Sequence, residues 1–151
     1  MATTADIVVN DAQETPQLIV EAKRRVPASR EWAAKMRRNI FAHMVLPRTP
    51  FFLLALPERF FLWKNAPPME TTPPDYEIDT QQVLQPYLAK LQTSLSALSE
   101  NGFELLIRSW LEDVVNSPPD SARLGQANRW LVESGLYEAI RQGSIKAEVP
   151  V

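Results

Sequence analysis

A chain of 151 residues, 45% hydrophobic and 23% charged, is long enough to bury one ordinary core, and its composition excludes a disordered polymer. With no cysteine and a single histidine it has no disulfides, no cysteine-ligated zinc and no histidine-based metal cluster. The net charge of −2 argues against a broad nucleic-acid coat, and the absence of a long apolar run or a signal-type start makes a cytoplasmic protein with no membrane partner the expectation.

The first element predicted is a hairpin over residues 5–23. Asp6 opens the apolar run Ile7, Val8 and Val9, turn-forming residues fill 10–16, and Leu18, Ile19 and Val20 close on Glu21, Ala22 and Lys23. Two short β-branched runs separated by turn residues predict antiparallel strands. Folding about a centre between Gln13 and Glu14 sets positions whose numbers sum to 27 opposite each other, so Asp6 faces Glu21. Side chains alternate along a strand, which puts Glu21 and Lys23 on one face and Val20 and Ala22 on the other. Two carboxylates about 4 Å apart repel by roughly 1 kcal/mol in water and about 4 kcal/mol near a protein surface. Lys23 offsets part of this, and a divalent cation offsets more while favouring oxygen ligands of this kind. The constellation points to a Mg²⁺ site with an ammonium beside it. The plainer alternative is a strand-end aspartate next to a solvated Glu21–Lys23 pair.

Beyond Pro27, Ser29 is a helix N-cap, and a helix is predicted over 30–44 with Trp32, Ala33, Met36, Ile40, His43 and Met44 as its buried stripe. His43, on that apolar side, is assigned a structural role. From Lys23 to Arg38 seven basic residues stand against one acid, Glu31. A basic surface beside two carboxylates attracts a phosphate backbone, which makes Arg24, Arg25, Lys35, Arg37 and Arg38 the candidate nucleic-acid-binding residues. Residues 51–56 and 59–63 predict a second hairpin buried on both faces, its aromatic cluster of Phe51, Phe52, Phe60, Phe61 and Trp63 serving the core rather than base stacking.

The proline-rich run 66–76 has no room for regular structure. Asp79 caps a helix expected to reach about residue 99, with Pro86 bending it and Asn101-Gly102 breaking it. Phe103, Leu106, Ile107, Trp110, Leu111 and Val114 mark the next helix. A third helical stretch from Ser121 is interrupted at Gly135 and stopped at Gly143, and Ile145, Ala147 and Val149 alternate with Lys146 and Glu148 as a short final strand. The chain thus divides into an α/β core over 1–65, a link over 66–78 and a helical region over 79–151 packed on the core.

Ala5-Asp6, fourteen residues, then Glu21-Ala22-Lys23 resembles the PD-(D/E)xK signature of the restriction-endonuclease-like nuclease superfamily, with alanine where proline usually stands. The resemblance is limited to residues 5–65. It implies an α/β fold with a small mixed β-sheet and flanking helix, N-terminally trimmed relative to the family, plus a helical C-terminal half. It also implies a metal-dependent endonuclease hydrolysing phosphodiester bonds in DNA. Asp6, Glu21 and the carbonyl of Ala22 would hold Mg²⁺ or Mn²⁺, and Asp6, Glu21 and Lys23 would be catalytic, Lys23 by orienting water. The alternative is a catalytically inactive module on the same scaffold that binds protein or nucleic acid. In the family a helix, often with a further acidic residue, and a first strand precede the PD strand, whereas here only residues 1–4 do. Three solutions follow: a homodimer or partner protein completes the sheet edge, the C-terminal segment substitutes, or the chain is a trimmed relative.

Overall fold

The computed structural model describes residues 4–27, 29–121 and 125–150. Its elements in order are β1 (Thr4–Asn10), β2 (Pro16–Ala22), α1 (Arg30–His43), β3 (Phe51–Ala55), β4 (Arg59–Lys64), β5 (Tyr76–Asp79), α2 (Thr80–Leu91), α3 (Glu100–Val115), α4 (Arg129–Glu133), α5 (Leu136–Ile140) and β6 (Ser144–Pro150). Among the described residues the six strands form one mixed sheet in the order β5-β4-β3-β2-β1-β6. Only β2 and β3 run parallel, because α1 carries the chain back to the starting end before β3 begins. Every other neighbouring pair is antiparallel.

Strand alternation divides the core into two layers. Leu18, Val20, Phe51, Leu53, Phe60 and Leu62 pack against the later helices, where Phe103, Ile107, Trp110 and Leu111 of α3 supply the facing stripe. Ile19, Phe52, Leu54, Phe61 and Trp63 take the opposite face and meet Ala33 and Ile40 of α1. The near-continuous apolar runs of β3 and β4 are thus explained by helices on both sides. Phe60 lies against two indoles, with ring centroids 5.5 Å from Trp110 and 6.5 Å from Trp130, so the aromatic cluster is core and not a surface platform.

The α1 boundary follows from Ser29, whose hydroxyl accepts a hydrogen bond from the Trp32 amide at 3.0 Å. The stripe is corrected at its end: His43 is exposed, with its ring nitrogen 2.8 Å from the Asn39 carbonyl, and Met44 lies past the helix. The expected helix from Asp79 to about residue 99 is also corrected. Asp79 caps α2 through the Gln81 amide, and α2 continues through Pro86, but Gln92 adopts φ 51° and ends it. The following helix starts earlier than the Asn101-Gly102 pair suggests, because the Ser99 hydroxyl accepts from the Gly102 amide at 3.0 Å and so caps α3. Glycine in a first turn leaves a cap intact.

Two strands join the sheet from outside the 1–65 segment. The short β5, in a stretch expected to be link and helix cap, pairs with β4 from Leu62↔Tyr76 to Arg59↔Asp79. The terminal strand β6 pairs with β1 from Thr4↔Pro150 to Asn10↔Ser144. The second half of the chain therefore supplies both edge strands of the sheet, and the β1 edge is covered by the chain's own C-terminal strand.

Candidate functional site

The β1–β2 register sets Ile7 opposite Val20, Val8 opposite Ile19 and Val9 opposite Leu18, the pairing in which residue numbers sum to 27. Asp6 and Glu21 lie one step further along and clasp each other's strand. The Asp6 amide donates to Glu21 Oε2 at 2.7 Å, and the Ala22 amide donates to Asp6 Oδ2 at 2.9 Å. Lys23 is held in place by its own amide, which donates to the Ala55 carbonyl at 3.0 Å at the end of β3. Its Nζ then stands 3.7 Å from Asp6 Oδ2 and 3.9 Å from Glu21 Oε1. The three side chains that the sequence singles out thus converge at one end of the sheet, with Ala22 contributing its backbone.

Their environments differ. Glu21 is 1% exposed, whereas the Asp6 and Lys23 side chains are 21% and 30% exposed. Burial, reinforced by the Asp6 charge, pushes the Glu21 carboxyl up to about 7, against the opposing pull of the Asp6 amide and Lys23. Among the described residues Asp6 Oδ1 accepts no hydrogen bond and Glu21 Oε1 meets only the Lys23 ammonium. Among the described residues no group of three or more His, Cys, Asp or Glu side chains is arranged to hold a metal ion, so the centre has two carboxylates to offer.

A residue that the sequence does not single out also acts on this centre. Glu104, on α3, adds its negative charge to the field that raises Glu21. Nothing local marks it, since it is one polar position on an amphipathic helix. Only the packing of α3 over the end of β2 brings it near. The same end is closed by Arg24, whose amide donates to Glu100 Oε2 at 3.1 Å and whose Nη1 donates to the Leu98 carbonyl.

The basic candidates separate into two groups. Arg24, Arg25, Lys35 and Arg38 are exposed, Lys35 and Arg38 three residues apart on α1, with Arg38 Nε donating to the Met69 carbonyl at 3.1 Å. Arg37 does not belong with them and is corrected: it is 2% exposed. Its Nη1 and Nη2 donate to the Pro67 and Ala66 carbonyls at 3.1 and 3.0 Å, and its guanidinium lies 4.8 Å from the Phe41 ring centroid. It fastens the proline-rich link to α1.

Comparison of the chain with protein-family models, with characterised proteins and with solved structures finds no match. No helix among the described residues is long and apolar enough to cross a membrane.

Proposed function

We propose that this chain is a metal-dependent, nuclease-like protein of restriction-endonuclease-like fold that hydrolyses phosphodiester bonds in DNA. The observation that carries this reading is the convergence of Asp6, Glu21 and Lys23 at the sheet end, both carboxylates within 3.9 Å of one ammonium nitrogen. Asp6 and Glu21 would hold Mg²⁺ or Mn²⁺, with the Ala22 carbonyl as a further ligand. Their fit to such an ion rests on charge: two carboxylates share one ammonium, and burial denies Glu21 the water that would otherwise solvate it. Mg²⁺ is commonly held by one or two carboxylates while keeping several waters, so a two-carboxylate centre suits it. When bound, the ion supplies Lewis acidity toward a phosphoryl oxygen and acidifies water. Lys23 orients the attacking water and stabilises negative charge that develops on the phosphate. Arg25 and Lys35, with Arg24 and Arg38 beside them, hold the nucleic-acid backbone electrostatically.

One observation favours the second reading, a catalytically inactive module that binds protein or nucleic acid. The carboxylates already accept hydrogen bonds from each other's strands, so the cluster also serves as a structural clasp between β1 and β2. DNA cleavage separates the two. The wild type should nick plasmid DNA only with Mg²⁺ or Mn²⁺, and Lys23→Ala should slow this by about 10²- to 10³-fold with an unchanged circular-dichroism spectrum. Undiminished cleavage by Lys23→Ala contradicts the mechanism, and no cleavage by the wild type assigns the chain to the second reading.

A further inference from the structure

At the other end of α1, about 20 Å along the helix from its Lys23 end, lies a groove of about 830 Å³. That is within the size range of small-molecule sites, roughly 300 to 1,000 Å³. Its apolar wall includes Phe41, Met44, Phe52 and Trp63, and its charged lining consists of Arg37 and Arg48 with no acidic residue. Such a one-sided lining stands out in a chain whose net charge is −2.

Arg37 is the second, independent observation. Its guanidinium is buried and makes no ion pair among the described residues, and its Nε–H has no acceptor. Burial lowers its affinity for the proton, and the carboxylate whose field opposes this, Asp75, is itself engaged by the Lys64 amide at 2.7 Å. What compensates the charge is two link carbonyls and the faces of Phe41, Trp63 and Phe52, at 4.8, 5.6 and 5.9 Å. A buried cation with no carboxylate in contact is costly, and an anion seated beside it lowers that cost.

We infer that this groove binds a small organic anion, with an apolar or aromatic body against Phe41, Phe52 and Trp63 and a carboxylate or phosphate in the field of Arg37 and Arg48. The inference does not rest on the nuclease reading, since no residue is shared with Asp6, Glu21 or Lys23. Arg48 is exposed, so reversing its charge leaves the core untouched. The test titrates the full chain with 2-naphthoate, 2-naphthyl phosphate and the neutral 2-naphthamide, read by calorimetry and by amide chemical shifts. The expected result is binding of at least one anion with shifts at Phe41, Arg48 and Trp63, weakened about tenfold by Arg48→Glu, while naphthamide binds more weakly and is indifferent to the substitution. The carboxylate and phosphate arms show which acid the groove prefers. Equal binding of naphthamide, shifts centred elsewhere, no loss in Arg48→Glu, or no binding of either anion at millimolar concentration overturns the inference.

Discussion

Replacing Glu21 by glutamine is expected to abolish the proposed metal-dependent hydrolysis and to stabilise the metal-free protein at pH 8 by roughly 1 to 3 kcal/mol. The stability effect follows from the sign of the shift. An unperturbed glutamate has its pKa at 4.5, whereas in the fold burial and the Asp6 charge raise it to about 7. Between these values the folded state binds a proton that the unfolded chain has lost. The associated stability is therefore complete below about pH 4.5 and disappears as the pH rises through about 7. Over that window the wild type loses up to roughly 3 kcal/mol. In Glu21→Gln the side chain carries no charge and keeps an oxygen to accept the Asp6 amide, so the variant avoids this loss. Urea unfolding in EDTA at pH 5 and pH 8 reads the effect. A wild-type minus variant difference that does not change between the two pH values contradicts the assignment of Glu21 as a buried, strained carboxylate.

Gly143→Ala is expected to destabilise by about 3 kcal/mol or more, the upper end of the range for overpacking. A Cβ at this position would stand 1.8 Å from the Asn10 carbonyl oxygen and 2.8 Å from that of Ile140. Both are backbone atoms, in β1 and at the end of α5, and neither can swing aside as a side-chain tip would. Relief requires β6 to leave the Asn10↔Ser144 end of its ladder, four residues along β1 from Asp6. Gly102→Ala is the control, because there the added Cβ meets the Ser99 and Leu98 side chains at 3.3 and 3.4 Å inside a helix. Its change should stay within about 1 kcal/mol, since alanine is the better helix former. Chemical denaturation compares the two, and amide exchange in β1 locates the loss. Equal stability of Gly143→Ala and wild type would show that β6 is not held against β1 at this point.

The carboxylate pair was legible because a hairpin is a local object. Two apolar runs and a turn determine a register, and the register determines that Asp6 meets Glu21 without knowledge of any distant residue. The two amphipathic faces of α1 and α3 were legible by the same kind of reasoning, since helical spacing is local too. Arg37 shows where this stops. It falls four residues after Ala33 and three before Ile40, on the buried stripe, yet its charge suggests the outer surface. The carbonyls of Ala66 and Pro67 that make its burial tolerable come from some thirty residues further along, and no spacing rule on α1 predicts them. Likewise β5 has four residues, too few to show a period, and exists because β4 offers it an edge. Glu104 reaches Glu21 only through the packing of α3, and β6 completes the sheet only through long-range pairing with β1. The edge of β1 is covered by β6, as expected if the C-terminal segment substitutes for a missing first strand.

Whether Asp6 and Glu21 hold a divalent cation, on which the proposed hydrolysis depends, is decided by thermal unfolding with and without Mg²⁺ or Mn²⁺. The wild type should gain stability as RT ln(1 + [metal]/Kd), about 2.7 kcal/mol at a hundredfold excess over Kd, while the Asp6→Ala/Glu21→Ala double variant gains nothing. A wild type that shows no rise at millimolar metal, or a double variant that rises equally, contradicts it.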